Sequence, residues 1–237
     1  MTEFLFRDDA YLRETPARVV AVTPEGGIVL DRTVFYAASG GQPGDAGVLR
    51  RRDGTEVRVG ATVHPEGDKT AIVHVPLEAQ PALAVDEDVV TAIDWERRLK
   101  LMRMHTTLHL VTVVFPFPIT GAAVGEDKGR VDFNMPEPPE DVAALEARLN
   151  EMVAEGHPVT TEWITDEEMA ANPGLIKSMN VKPPMGQGRV RLVRIGDVDL
   201  QPCGGTHVAN TREIGPLKLG KIEKKGAINR RVTVLFA

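Results

Sequence analysis

Asp94-Trp-Glu-Arg-Arg-Leu-Lys-Leu-Met-Arg-Met-His105-Thr-Thr-Leu-His109 is the stretch at which the chain changes character. Asp94 stands at an N-cap position, and the helix it opens is expected to run to about Phe115, where Pro116 and Pro118 forbid continuation. Upstream the pattern is β. Residues 18–23, 27–31, 47–50, 55–59 and 70–75 are short runs rich in β-branched side chains, separated by Gly, Pro and Asp signals. Strands at that spacing suit a small barrel or sandwich. The pattern loosens at residues 79–84, so the boundary is placed near residue 93, dividing the chain into domains 1–93 and 94–237.

Beyond the first helix, a second is expected over Asp141 to Glu155. Val142, Leu145, Leu149 and Val153 follow three- and four-residue steps there, and Gly156 sits at C′. A third starts at Thr165, whose hydroxyl pairs with Glu168 in a capping box before Pro173 stops it. Arg189 to Ile195 alternates basic and apolar residues, and Arg231 to Phe236 closes the chain as a further strand. The expected class is α+β, a small N-terminal β-barrel followed by an α+β domain.

With 237 residues, 42% of them hydrophobic, the chain can build a real core, and collagen-like or disordered classes are excluded. No apolar run approaches the ~20 residues that a bilayer span requires. A secretory leader is not expected from the N-terminal residues, and the single Cys203, which cannot form an internal disulfide, makes the cytosol the expected compartment. Net charge is −6, but it is unevenly distributed. From Lys177 onward 12 Lys/Arg oppose 4 Asp/Glu, a balance of +8 that leaves −14 for the rest. A basic C-terminal region can meet a polyanion, although a solvated strand-and-turn surface explains the same charges.

Two patterns carry chemistry: His105-Thr-Thr-Leu-His109 in the expected helix, and Cys203-Gly-Gly-Thr-His207 in a glycine-broken loop. Residues four apart on a helix share a face, so both imidazoles can reach one ion, and the loop brings two further ligands. Thiolate with neutral imidazole suits Zn2+. The plain alternative is a packed thiol with unrelated histidines. Position 106 is Thr where a metalloprotease helix carries its Glu general base, which disfavours peptide hydrolysis and points to an easier substrate such as a carboxylic ester. Asp197 and Asp199 precede the Cys motif, where a carboxylate can accept the free ring N–H of a ligand histidine or merely cap a turn. His64, His74 and His157 read as structural or exposed.

These elements resemble the AlaX alanyl-tRNA editing proteins, free-standing relatives of the editing domain of alanyl-tRNA synthetase. The resemblance rests on the His105 pair, on Ile195-Gly-Asp-Val-Asp-Leu-Gln-Pro-Cys-Gly-Gly-Thr-His-Val208, and on the glycine-rich Phe35-Tyr-Ala-Ala-Ser-Gly-Gly-Gln-Pro-Gly-Asp45, the marker of medium-length members with a barrel before the zinc-bearing domain. It implies a trans-editing hydrolase acting on mischarged tRNA(Ala), seryl and also glycyl, with His105, His109, Cys203 and His207 as metal ligands and catalytic centre. Thr120 is implied at the serine hydroxyl. Kinship with a ligase also carries the expectation of nucleotide and ATP binding. Gly40, Gly41 and Gly44 permit close backbone approach to the substrate end, or equally a hairpin turn. Lys224, Lys225, Arg230 and Arg231 resemble the closing segment and are expected at tRNA phosphates. Arg97, Arg98, Lys100 and Arg103 either guide the acceptor end or form a water-exposed helix face.

Three histidines and a cysteine already complete a tetrahedron, the pattern of a closed structural site, whereas catalysis needs an exchangeable position. A loose ligand, an expanded coordination shell, or a zinc that only orients substrate while another group such as a tRNA hydroxyl activates water all remain open at this level. Two competing functions follow: a noncatalytic RNA-binding module with structural zinc, and a zinc hydrolase of small esters. Oligomeric state is not legible.

Overall fold

The computed structural model describes residues 2–180, 183 and 188–237. Two compact units result, the first ending at Leu99 and the second starting at Lys100. In the first unit the strands are β1 (Glu3–Phe4), β2 (Glu14–Val22), β3 (Ile28–Leu30), β4 (Arg32–Thr33), β5 (Gly47–Arg51), β6 (Glu56–Val63), β7 (Val73–Pro76) and β8 (Asp88–Ile93). Six of them close into a barrel in the order β2-β3-β7-β6-β5-β8, with β8 pairing back onto β2, while β1 and β4 form a short parallel pair. Closure leaves no sheet edge. Alternation places Ala17, Val19, Ile28, Leu30, Leu49, Val57, Val59 and Val89 inside with Phe35.

Barrel and second-domain strands are more numerous than the sequence signals. β8 lies just past the loosened segment, and β2 begins four residues earlier than expected because Pro16, which lacks an N–H, masks its first half. Pro16 is nonetheless paired in register with Val90.

The helix α1 (Trp95–Val114) is capped as expected, with Arg97 N–H donating to Asp94 Oδ1 at 3.1 Å. After it the second unit continues through β9 (Ile119–Ala123), β10 (Lys128–Asn134), α2 (Val142–Glu155), β11 (Val159–Thr165), α3 (Asp166–Ala171), β12 (Arg189–Ile195), β13 (Asp199–Pro202), β14 (Leu217–Leu219), β15 (Glu223–Lys224) and β16 (Asn229–Phe236). One sheet runs β14-β16-β10-β9 with β15 also on β16, and a second runs β11-β12-β13. The architecture is α+β. Gly156 ends α2 in the left-handed conformation, and the Thr165–Glu168 capping box opens α3. From Leu101 to Thr112 only Arg103 on α1 escapes the buried class, so this helix runs through the interior and its polar residues must be paired. Among the described residues, no helix is long and apolar enough to cross a membrane.

Candidate metal centre

Helix α1 supplies His105 and His109 one turn apart, and the loop after β13 supplies Cys203 and His207. Their ligand atoms all lie within 4.8 Å of one another. Cys203 Sγ is 3.5 Å from His105 Nε2 and 3.3 Å from His207 Nε2. Tetrahedral zinc, with Zn–S about 2.3 Å and Zn–N about 2.0–2.1 Å, demands S···N separations of about 3.5 Å, so the donor set fits that ion. The three ring centroids stand 4.4, 4.6 and 5.3 Å apart.

The rings are held from behind. His207 Nδ1 is 3.1 Å from Thr106 Oγ1, which itself donates to Met102 O at 2.9 Å and accepts from Val208 N–H at 3.3 Å. Thr106, notable in the sequence for not being a metalloprotease Glu, therefore orients the His207 ring. Asp199 Oδ2 lies 3.2 Å from His109 Nδ1, somewhat off the line of a full hydrogen bond, an arrangement that would leave Nε2 for an ion. Asp197, the other carboxylate, has no such contact among those described. Behind the cysteine, the Arg191 guanidinium donates to Cys203 O and Gly205 O at 2.9 and 3.0 Å and fixes the loop.

Without metal, the centre has a distinctive charge state. Burial opposes ionisation of Cys203, but His105 and His207 outweigh it and hold the thiol well below its usual range. Burial drives His207 down to about 3, with His105 adding repulsion. Burial also opposes a charge on His109, yet Asp199 and Cys203 raise it to about 9. Asp199 is pulled down to about 2, burial being overcome by His109 and Lys177. A thiolate is thus ready, and His207 stands as the neutral imidazole that metal ligation requires.

The other expected residues are placed as follows. Thr120, on β9, has its hydroxyl 3.1 Å from Asp132 O and 3.0 Å from Asn229 Oδ1. Gly40 and Gly41 form the tip of a two-residue turn at φ +56° and +86°, with Ser39 and Gln42 exchanging backbone hydrogen bonds. At Gly44, a Cβ would meet Thr62 O at 2.1 Å, so its glycine is required by barrel packing. Lys224 and Lys225 are exposed on and beside β15, Lys225 pairing with Glu223 at 2.6 Å. Arg230 is buried and bonded to Asn229 O and Pro136 O, while Arg231 closes on both oxygens of Asp132 at 2.7 and 2.8 Å.

Neither reading of Arg98 survives. It is neither at a water-exposed face nor free to guide a substrate, because it is fully buried in an ion pair with Asp45 and donates to Val34 O and Ala10 O. Asp45, from the glycine-rich segment, is the buried carboxylate that draws it in. Arg103 donates to Ile214 O at 3.0 Å and lies over the Phe236 ring, Lys100 faces Asp127 at 3.5 Å, and Arg97 reaches Gly44 O at 3.3 Å. His74 is buried between Thr33 and Ile28, His64 bonds to Ala71 O, and His157 bonds to Glu155, so all three are structural.

Sequence reasoning missed Lys177, Thr112 and Gln201, which join Asp199 behind His109. They sit on three different elements or loops, and no local spacing links them.

Two family models match: the threonyl and alanyl tRNA synthetase second additional domain over residues 190–233, and class II (A) tRNA synthetases over residues 11–97. Alanyl-tRNA editing protein AlaX-M of Methanosarcina acetivorans is 38% identical across 98% of both chains. That of Saccharolobus solfataricus is 34% identical, again across 98% of both. Alanine–tRNA ligase of Pyrobaculum arsenaticum is 37% identical over 94% of this chain but only 25% of its own.

Proposed function

This chain belongs to the family of the AlaX-M alanyl-tRNA editing proteins, and from that premise we propose that it is a trans-editing aminoacyl-tRNA deacylase. Its substrate is tRNA(Ala) mischarged with serine or glycine, and its work is done in the cytoplasm. The observation that supports this most is the convergence of His105, His109, Cys203 and His207 on one small volume. Zn2+ held there would supply Lewis-acid polarisation at the ester carbonyl. The reaction balances with water alone: the acyl C–O bond to the tRNA ribose breaks, and free amino acid and uncharged tRNA leave. Hydrolysis of that ester needs no ATP.

The chain's own residues do the positioning. His105 and His109 are fixed by a buried helix, and Cys203 and His207 by a loop pinned through Arg191, so the donors are set before substrate arrives. A synthetase pocket cannot strongly reject glycine for lacking a methyl, nor serine for adding a hydroxyl, and a second hydrolytic sieve answers that weakness. We assign Thr120 to the serine hydroxyl. Thr120→Val should then slow seryl-tRNA turnover while leaving glycyl-tRNA turnover nearly unchanged, and equal losses on both would contradict the assignment. Gly40 and Gly41 are assigned to backbone approach by substrate, supported by the open space beyond Gly40. Lys224, Lys225, Arg230 and Arg231 are assigned to tRNA phosphates, the two lysines reaching outward and the two arginines, already engaged by carbonyls and Asp132, adding their field.

The test is metal removal and replacement. Stripped protein should lose deacylation of seryl-tRNA(Ala), zinc should restore it, and Cys203→Ala should lower the rate about 100-fold or more even with zinc added. The full ligand set also favours a second reading, a noncatalytic RNA-binding module with structural zinc. Under that reading, zinc-loaded protein binds tRNA and turns over no ester.

A further inference from the structure

Behind His109 lies a polar group of residues from three separate parts of the second unit. Asp199 at the start of β13 has its side chain only 1% exposed, faces His109 Nδ1 with one oxygen, and meets Lys177 Nζ at 2.5 Å with the other. Lys177 Nζ also donates to Thr112 Oγ1 at 2.9 Å, and Thr112 Oγ1 donates to His109 O at 2.7 Å. Gln201 Nε2 closes the group, donating to Asp199 Oδ2 at 2.7 Å.

Such an arrangement has an electrostatic cost that one residue offsets. A carboxylate buried this deeply is expensive unless a cation and hydrogen bonds compensate it. Lys177 is the one lysine or arginine among the described residues that bonds to this carboxylate. Its backbone is anchored independently of the centre: Lys177 O accepts from Ile119 N–H, and Met179 N–H donates to Ile119 O, both at 2.8 Å, tying the segment to β9. The ammonium therefore arrives from a fixed position and grips two things at once, the carboxylate that faces the ligand ring and the helix turn that carries it.

We infer that Lys177 is a positioning residue of the metal centre, acting through Asp199 and Thr112 to hold the His109 ring in its ligating orientation. The inference rests on the metal reading proposed above and goes beyond it in assigning a residue outside every motif. Lys177 touches neither the ion nor the reacting ester. Its contribution appears in the affinity and geometry of the centre.

The test uses the full chain with Lys177→Met, Lys177→Gln and Lys177→Arg. Zinc affinity is measured by competition with a chromophoric chelator, and Co2+ is substituted to read ligand geometry from its visible absorption. Met and Gln variants should bind zinc about 10- to 100-fold more weakly and shift the cobalt bands, and Arg should recover most of the loss. On seryl-tRNA(Ala), kcat should fall with KM unchanged. Parent-like zinc affinity and cobalt spectrum in a folded Met or Gln variant would overturn the inference while leaving the metal reading intact. Failure of the parent chain to bind zinc would overturn the metal reading first. Gln is close to lysine in length, so it keeps the comparison if Met does not fold. Unfolding of both would place Lys177 in the core rather than at the centre and equally overturn the inference.

Discussion

His74 is buried in the barrel unit, its Nε2 2.8 Å from the Thr33 hydroxyl and its Nδ1 3.0 Å from Ile28 O, and burial pushes its pKa down to about 4. The folded value lies below the unfolded value of about 6.5, so protonation favours unfolding. The stabilisation it reflects is intact above pH 6.5 and is lost as pH falls toward 4, by an amount on the order of 3 kcal/mol. Urea unfolding at pH 7 and at pH 4.5 should show the loss, and His74→Gln should shrink the difference between the two. Arg98 and Asp45 supply a second prediction. Breaking a fully buried pair leaves an uncompensated charge, so Arg98→Met should destabilise the protein by about 3–5 kcal/mol, and Asp45→Leu in the same chain should recover part of it. An unchanged unfolding midpoint in the single variant would refute that assignment. Residues of this kind show how far a sequence reads. The clustering of His105, His109, Cys203 and His207 was legible because helical spacing and a lone cysteine are local signals, and Asp199 was legible by its nearness to Cys203. Arg98 was not, since nothing near it announces that Asp45, 53 positions away, closes over it.

The glycine-rich segment belongs to the scale of elements. At Gly44 a methyl group would overlap Thr62 O of β6, a backbone atom that cannot rotate away, whereas at Gly40 it would meet nothing and suffer only from φ +56°. Gly40→Ala should therefore cost about 1–2 kcal/mol, and Gly44→Ala distinctly more, as compared by thermal melts. Reversed order would show that the turn, not the barrel wall, sets the constraint. Helix α2 adds a calibration: Asp141→Ala removes the acceptor for Ala144 N–H and should cost about 1 kcal/mol. Helices were legible because caps and three-to-four periodicity are short-range. Several strands were not. β9 follows two prolines and carries a glycine, β13 is four residues long, and β11 shows no clean alternation, so it is pairing that makes them strands, with the adjacent β10 and β12 for β9 and β13 and with β12 beyond α3 for β11.

At the scale of the whole molecule, charge asymmetry governs how a polyanion is met. The region from Lys177 onward carries +8 within a chain of net −6, and a tRNA substrate engaged through several phosphates should bind with strong salt dependence. Raising salt from 50 to 200 mM should increase KM for charged tRNA, and Lys224→Ala with Lys225→Ala should flatten that slope. A salt-insensitive KM would instead fit a small-ester hydrolase. Initial deacylation rates on seryl-, glycyl- and alanyl-tRNA(Ala), with and without chelator, test directly whether the centre formed by His105, His109, Cys203 and His207 supports hydrolysis of wrongly charged tRNA(Ala). Rapid, chelator-sensitive turnover of the seryl and glycyl forms, with the alanyl form spared, is the result expected. Equal inertness toward all three by zinc-loaded protein would rule out the proposed deacylase.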